Sequence, residues 1–365
     1  MSSAIPPPVK EELELPTLHP GKSMALVALG LGVYLIYLYH VGFSDIIKSL
    51  EEVNPLIFAV GFVLALMGVL FDGLAWKRVA RKFDFQVSTW DVFSMYLSYI
   101  FLNNLIPSGS FSGETARIYF LEKLAGDSSL DRASATVAGT RIITSVPFFL
   151  GTILGLGYLM LNADIPAWAL ATCSSITLVM VFANVVFIGF CFSNTWLEGL
   201  ICRIIDGLER LFHIHVNRTT CVSVVRSFHE SMKNLTDHRR TLLISTLWAF
   251  AAWVSMNLVA FVTFRSLGVN VSAGAIVAVY AVMIFLQMLP LVLPGGVGLV
   301  DIVMITLFNA VGVPMHVAVA ATILSRLIQL WFLTILGGMA TVYLLKKIDR
   351  RMLSKGGKRS PLQAA

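Results

Sequence analysis

The feature that most constrains this chain is its series of long stretches without a charged residue: 23–44, 53–71, 92–113, 142–163, 165–197, 241–264, 266–300, 302–325 and 327–345. About 20 apolar residues in a helix cross a hydrocarbon core of about 30 Å, so stretches of this length make the bilayer itself the solvent for the fold. Only 13% of the residues are charged and 57% are apolar, whereas a soluble domain carries about a quarter charged residues. An ordinary soluble globular protein is excluded. A chain surrounded by lipid satisfies its own backbone groups within helices, so the expected fold class is an all-α polytopic membrane protein.

Charge between the stretches sets the topology. Residues 76–91 carry four Lys/Arg (Lys77, Arg78, Arg81, Lys82), residues 194–240 carry seven, and residues 346–359 carry seven with one Asp. By the positive-inside rule these segments face the cytoplasm, as does the Pro-rich polar tail 1–22. No removable signal peptide is expected. Residues 161–166 and 267–272 have no Lys or Arg, and 41–54 has only Lys48 against three acids. These three segments face outward. The net charge of +6 therefore belongs to membrane orientation and anionic headgroups rather than to nucleic acid.

This assignment conflicts with a full crossing at 92–106, which would carry the seven-positive segment outside. A hairpin over 92–125 that turns near Pro107 and returns to the cytoplasm restores the parity. A second hairpin, 273–293 and 298–310, followed by one span from Met315 to Leu345, satisfies the later parity; three complete crossings satisfy it too. The expectation is about six full spans plus two re-entrant helical hairpins within a single transmembrane domain, 23–345, followed by the basic tail 346–365.

The two hairpins resemble each other. Pro107-Ser-Gly-Ser-Phe-Ser-Gly-Glu114 and Pro294-Gly-Gly-Val-Gly-Leu-Val-Asp301 share a leading Pro, a Gly at the third place (Gly109, Gly296) and a carboxylate seven residues after the Pro, at an offset of 294 − 107 = 187. Thr140-Arg141-Ile-Ile matches Ser325-Arg326-Leu-Ile at 326 − 141 = 185, and Arg78 pairs with Arg265 at 187. Units of about 55–161 and 241–345, separated by the cytoplasmic loop 194–240, would enter the membrane from opposite sides. Inverted repeats with broken helices near the midplane are a common transporter plan.

The segment from Asn103-Asn104 through Pro107, Gly109, Gly113 and Glu114 to Arg117 resembles the first signature of the flippase-like integral membrane family. Leu293-Pro294-Gly295-Gly296-Val-Gly298-Leu-Val-Asp301, with residues 320–326, resembles the second. This family includes the transmembrane flippase region of lysylphosphatidylglycerol synthase. Its second signature usually ends in Glu, one methylene longer than Asp301. No soluble aminoacyl-transferase domain is expected beside the membrane region, so the resemblance implies lipid translocation without the synthase.

The residues themselves suggest a site. Glu114 and Arg117 share a helix face at i, i+3, and Arg141 and Arg326 lie deep in their spans. A charge at a span centre costs at least about 2.5–3.5 kcal/mol and so seeks a carboxylate, a carbonyl or a wet cavity. The expectation is that Glu114 and Asp301 orient Arg141 and Arg326, and that these guanidinium groups, with Arg117, bind a phosphate-bearing headgroup through bidentate bonds. Gly109, Gly113, Gly295, Gly296 and Gly298 would allow tight turns and close backbone approach to an anion. Asn103 and Asn104 either satisfy freed backbone groups at the hairpin tip or contact substrate. The plainer reading of the acid–arginine pairs is that they clamp hairpins to long helices.

Other polar features carry less. Cys173, Cys191, Cys202 and Cys221 have no paired spacing and read as packing residues, and His213 and His215 lack a third ligand, so neither metal nor cofactor is expected. Residues 200–212 have the spacing of an interfacial helix. Asp72 reads as an interfacial residue, and Gly337 and Gly338 as positions of close helix approach. No GxxxxGK[ST] pattern supports ATP drive. The function expected is translocation of a lipid or lipid-linked anionic headgroup across the cell membrane. Two alternatives stand beside it: a membrane enzyme using Glu114 as general acid or base, and an accessory subunit working with a lipid-synthesis or glycosyltransferase partner.

Overall fold

The computed structural model describes residues 43–106, 111–125, 130–162, 167–192, 237–288 and 294–356, with a few single positions between them. The expected first span, the N-terminal tail, Pro107, Gly109 and the histidine pair lie outside the described residues. Regular structure among those described is helical: α1 (Phe43–Glu51), α2 (Pro55–Ala80), α3 (Thr89–Leu105), α4 (Phe111–Ala125), α5 (Leu130–Asn162), α6 (Ala167–Phe192), α7 (Arg239–Ser266), α8 (Ala273–Met288), α9 (Leu299–Ala310), α10 (Met315–Arg326) and α11 (Leu333–Gly356).

Local chemistry sets the boundaries. Asn54 caps α2 by accepting from the Leu56 and Ile57 N–H groups at 3.1 and 3.2 Å, with Pro55 following where its missing N–H costs nothing. A 3₁₀ turn, Arg81–Phe83, ends at Asp84 in the left-handed conformation, and Ser88 caps α3 through the Asp91 N–H. Before α9 the chain turns through Gly295, Gly296 and Gly298, with φ of 63°, 68° and 87°. A side chain at these positions would be strained, which explains the glycines. A π-helical segment, Leu327–Phe332, joins α10 to α11 without a break.

Four described helical stretches are long and apolar enough to cross a bilayer: Pro55–Phe83, Leu130–Gly155, Arg239–Ser266 and Met315–Arg351. Their outward faces carry Leu56, Val63, Leu154, Leu247 and Ile335, large apolar side chains that suit lipid and not water. The chain is an integral membrane protein. By contrast α3, α4, α8 and α9 have 17, 15, 16 and 12 residues, so at 1.5 Å per residue they reach only about 18–26 Å.

The helices pair reciprocally. α2 lies along α7 over most of its length, and the Asn54 N–H donates to the Ser266 carbonyl at 2.8 Å, so the start of one helix meets the end of the other. Small residues permit the contact: an added Cβ at Gly68 would meet the Met256 side chain. α3 packs along α11 and α8 along α5. Gly337 of α11 sits so close to the Leu97 carbonyl of α3 that no side chain fits. Gly151 of α5 similarly faces the Trp253 ring of α7. Two apolar cores result, one around Trp76, Met95, Phe120 and Leu121, the other around Phe264, Ile276, Met304 and Phe308.

Candidate functional site

Among the described residues, Glu114, Arg117 and Arg141 meet at one place and Asp301 and Arg326 at another. At the first, α4 begins after the break in the hairpin and puts Glu114 in its opening turn, where the helix dipole favours a carboxylate. Glu114 Oε2 accepts from Arg117 Nη1 at 2.9 Å, and its Oε1 lies 3.5 Å from Arg141 Nη1 on α5. One carboxylate thus bridges two arginines that differ in surroundings. Arg117 is buried, and its guanidinium carbon stands 4.4 Å from the centres of both the Trp76 and Tyr96 rings and 5.6 Å from Tyr99. Its Nε and Nη2 make no hydrogen bond among the described residues, so the π-faces take the place of acceptors. Arg141 keeps 31% of its side chain exposed, with the Tyr99 hydroxyl beside it.

The asparagines hold this hairpin together. Asn103 Oδ1 accepts from the Gly113 N–H at 2.9 Å, tying the end of α3 to the start of α4. Gly113 cannot carry a side chain there, because a Cβ would meet the Tyr99 carbonyl, the Tyr99 ring and Asn103 itself. Asn104 Nδ2 donates to Thr334 Oγ1 at 2.8 Å and anchors the hairpin to α11. Asn103 thus satisfies a backbone N–H at the start of α4, while Asn104 bonds a side-chain hydroxyl of α11.

The second place is closed. Arg326 Nε lies 2.7 Å from Asp301 Oδ1, with side chains only 7% and 5% exposed. Arg326 Nη2 donates to the Gly295 carbonyl at 2.5 Å, and Asp301 Oδ2 accepts from the Gly298 N–H at 2.8 Å. The shorter carboxylate therefore does reach its arginine, and the pair stitches the glycine turn, α9 and α10 into one unit. Pro294, Gly295, Gly296 and Gly298 form that turn directly beneath the guanidinium.

Some participants were not evident from spacing. Trp76, Tyr96 and Tyr99 come from two helices, and aromatic residues in apolar spans are indistinguishable from core until the helices meet. Trp76 is fixed by its Nε1 donating to Thr136 Oγ1 at 3.0 Å. Asp72, expected at the membrane interface, is one turn from Trp76 and within the field of Arg117 and Glu114. Asp91 at the start of α3 pairs with Lys347 of α11 at 2.5 Å, joining the two helices at their charged ends. Among the described residues no group of three His, Cys, Asp or Glu side chains is placed to hold a metal ion.

The family model for the lysylphosphatidylglycerol synthase TM region matches residues 24–337, and the chain belongs to that family. A UPF0104 membrane protein of Methanothermobacter thermautotrophicus is 26% identical over 337 residues, covering 92% of this chain and 99% of the relative. UPF0104 membrane proteins of Pyrococcus horikoshii and Methanocaldococcus jannaschii are 27% and 24% identical, covering 87% and 90% of this chain and 96% and 97% of theirs.

Proposed function

We propose that this protein moves an amphipathic lipid, or a lipid-linked group with an anionic head, across the cell membrane, and that Arg141 receives the headgroup phosphate. The observation that carries this reading is the partly open Arg141, a guanidinium on a membrane-length helix that keeps 31% of its side chain exposed and is held by a 3.5 Å contact to Glu114 and by the Tyr99 hydroxyl. A phosphate offers the planar fork two charge-assisted bonds where Glu114 offers one long one. As Arg141 turns to the phosphate, Glu114 stays neutralised by Arg117, so no bare carboxylate is left in the low-dielectric interior. Arg326, engaged by Asp301 and Gly295, shapes the second hairpin rather than binding substrate.

The architecture that goes with this function is an inverted repeat of α2–α5 and α7–α11, with both hairpins re-entrant and both chain termini cytoplasmic. The short arms support it, since a helix of 12 residues reaches about 18 Å and cannot cross about 30 Å of hydrocarbon. Reciprocal packing supports it as well: α2 on α7, the first hairpin on the second unit's long helix, and the second hairpin on the first unit's. Repeats of this kind place their breaks around a substrate path.

The test is bilayer crossing of labelled lipids in proteoliposomes with a panel of headgroups. Wild type is expected to move anionic lipids, Arg141→Ala to slow them at least about tenfold, and Arg141→Lys to recover only part, because an ammonium keeps the charge but loses the fork. No movement by folded, inserted wild type across the panel would overturn the reading in favour of a membrane enzyme or an accessory subunit.

A further inference from the structure

Helix α6 lies outside both repeated units and is charge-free over its 26 residues. It contains one carboxamide, Asn184, and a polar side chain in such a span asks for a reason. Asn184 Oδ1 is placed 3.2 Å from Ser145 Oγ on α5. The level is consistent, since Ser145 is 162 − 145 = 17 residues before the end of α5 and Asn184 is 184 − 167 = 17 residues after the start of α6. Ser145 also follows Arg141 by four residues, which puts the two on one face of α5.

The hydrogen count decides what the pair offers. A serine hydroxyl has one hydrogen, and Ser145 has two acceptors in reach: the Ile142 carbonyl at 2.7 Å and the amide of Asn184 at 3.2 Å. The shorter contact, within its own helix, takes the hydrogen. The Asn184 amide then turns its NH₂ to the Ser145 lone pairs, the orientation that satisfies this hydrogen-bond network, and its carbonyl oxygen becomes an acceptor for a third group. Beside Arg141, the seam between α5 and α6 therefore presents a cationic fork followed by a neutral acceptor. A phosphodiester without a hydroxyl has no use for the second. A phosphate carrying a hydroxyl uses both.

We propose that Ser145 and Asn184 complete the headgroup site at Arg141 and select lipids whose anionic headgroup also bears a hydroxyl, as a polyol or sugar phosphate does. The inference rests on the translocation reading above. It assigns α6, which has no counterpart in the repeat, the task of discriminating among headgroups. A polar clamp between α5 and α6 with no contact to substrate would instead affect every lipid alike.

The experiment compares phosphatidylinositol with phosphatidylmethanol, a phosphodiester of the same charge without a headgroup hydroxyl, in proteoliposomes. Wild type should favour phosphatidylinositol, and Asn184→Leu should cut that preference about tenfold, the effect of one hydrogen bond. Leucine suits a lipid-embedded helix, and Ser145→Ala, which removes the oxygen that orients the amide, should shift the ratio in the same direction. An unchanged ratio in both variants, or an equal fall for both lipids, overturns the selection role while leaving translocation intact. Wild type that moves neither lipid overturns translocation and this inference with it.

Discussion

At the level of single residues, the two acid–arginine pairs are chemically alike and physically different. Asp301 and Arg326 are sealed at 2.7 Å, so removing one partner strands a charge in a medium that cannot solvate it. Arg326→Ala should cost about 3–5 kcal/mol of stability, the usual penalty for breaking a buried pair. Arg141→Ala leaves Glu114 with Arg117 at 2.9 Å and removes a long, partly exposed contact together with the bond to the Tyr99 hydroxyl, so it should cost about 1–2 kcal/mol, less than the sealed pair. Thermal or denaturant unfolding of the purified protein in detergent distinguishes the two; equal losses would remove the distinction between a clamp and an open site. The adjacency of each acid to its arginine is legible in the sequence because a charge deep in a span must find a countercharge, and only a few charges are available there. The aromatic cage around Arg117 is not legible. Trp76, Tyr96 and Tyr99 meet through the packing of α2 on α3, and nothing in their spacing separates a cation's neighbour from ordinary core.

Among the helices, close approach depends on particular glycines. At Gly337 an added Cβ would collide with the Leu97 backbone carbonyl, which cannot move aside as a side chain can. Gly337→Ala should therefore push α11 off α3 and cost about 1–3 kcal/mol, the range for overpacking. Gly157, in α5, has nothing among the described residues within 4 Å of where a Cβ would stand. Gly157→Ala should be neutral or stabilising by up to about 1 kcal/mol, because alanine loses less backbone entropy in a helix. Melting temperatures of the two variants in one detergent check the pair, and a destabilised Gly157→Ala with a tolerated Gly337→Ala would contradict the packing described. Helix limits were readable where chemistry punctuates the chain, as at Asn54-Pro55 or the glycines before α9. The π-helical segment after Arg326 was not: Leu327–Phe332 has no turn residue to announce it, and its one polar side chain, Gln329, finds the Met256 carbonyl of α7 at 2.9 Å only once the helices meet.

For the molecule as a whole, the charge pattern and the helix lengths constrain different things. On the proposed topology, Lys and Arg counts put 76–91 and 346–359 on one side of the membrane and 267–272 on the other, but two complete crossings and one re-entrant hairpin return the chain to the same side. Parity alone leaves them equal. Length favours the hairpin, the reading proposed above: α9 has 12 residues, about 18 Å against about 30 Å of hydrocarbon. Single cysteines in a background lacking the four native ones turn this into a measurement. Asn270→Cys and Gly312→Cys, at exposed positions flanking the second hairpin, should react with a membrane-impermeant thiol reagent added outside. Asp84→Cys and Lys346→Cys should react only after permeabilisation. The deciding position is Leu299, at the start of α9 and 47% exposed. In a re-entrant hairpin it stays within the membrane and Leu299→Cys resists the reagent from the cytoplasmic side, whereas two complete crossings would bring it to that surface and make it reactive. Cytoplasmic labelling of Leu299→Cys would break the inverted repeat, and with it the argument that the two glycine turns meet around one path.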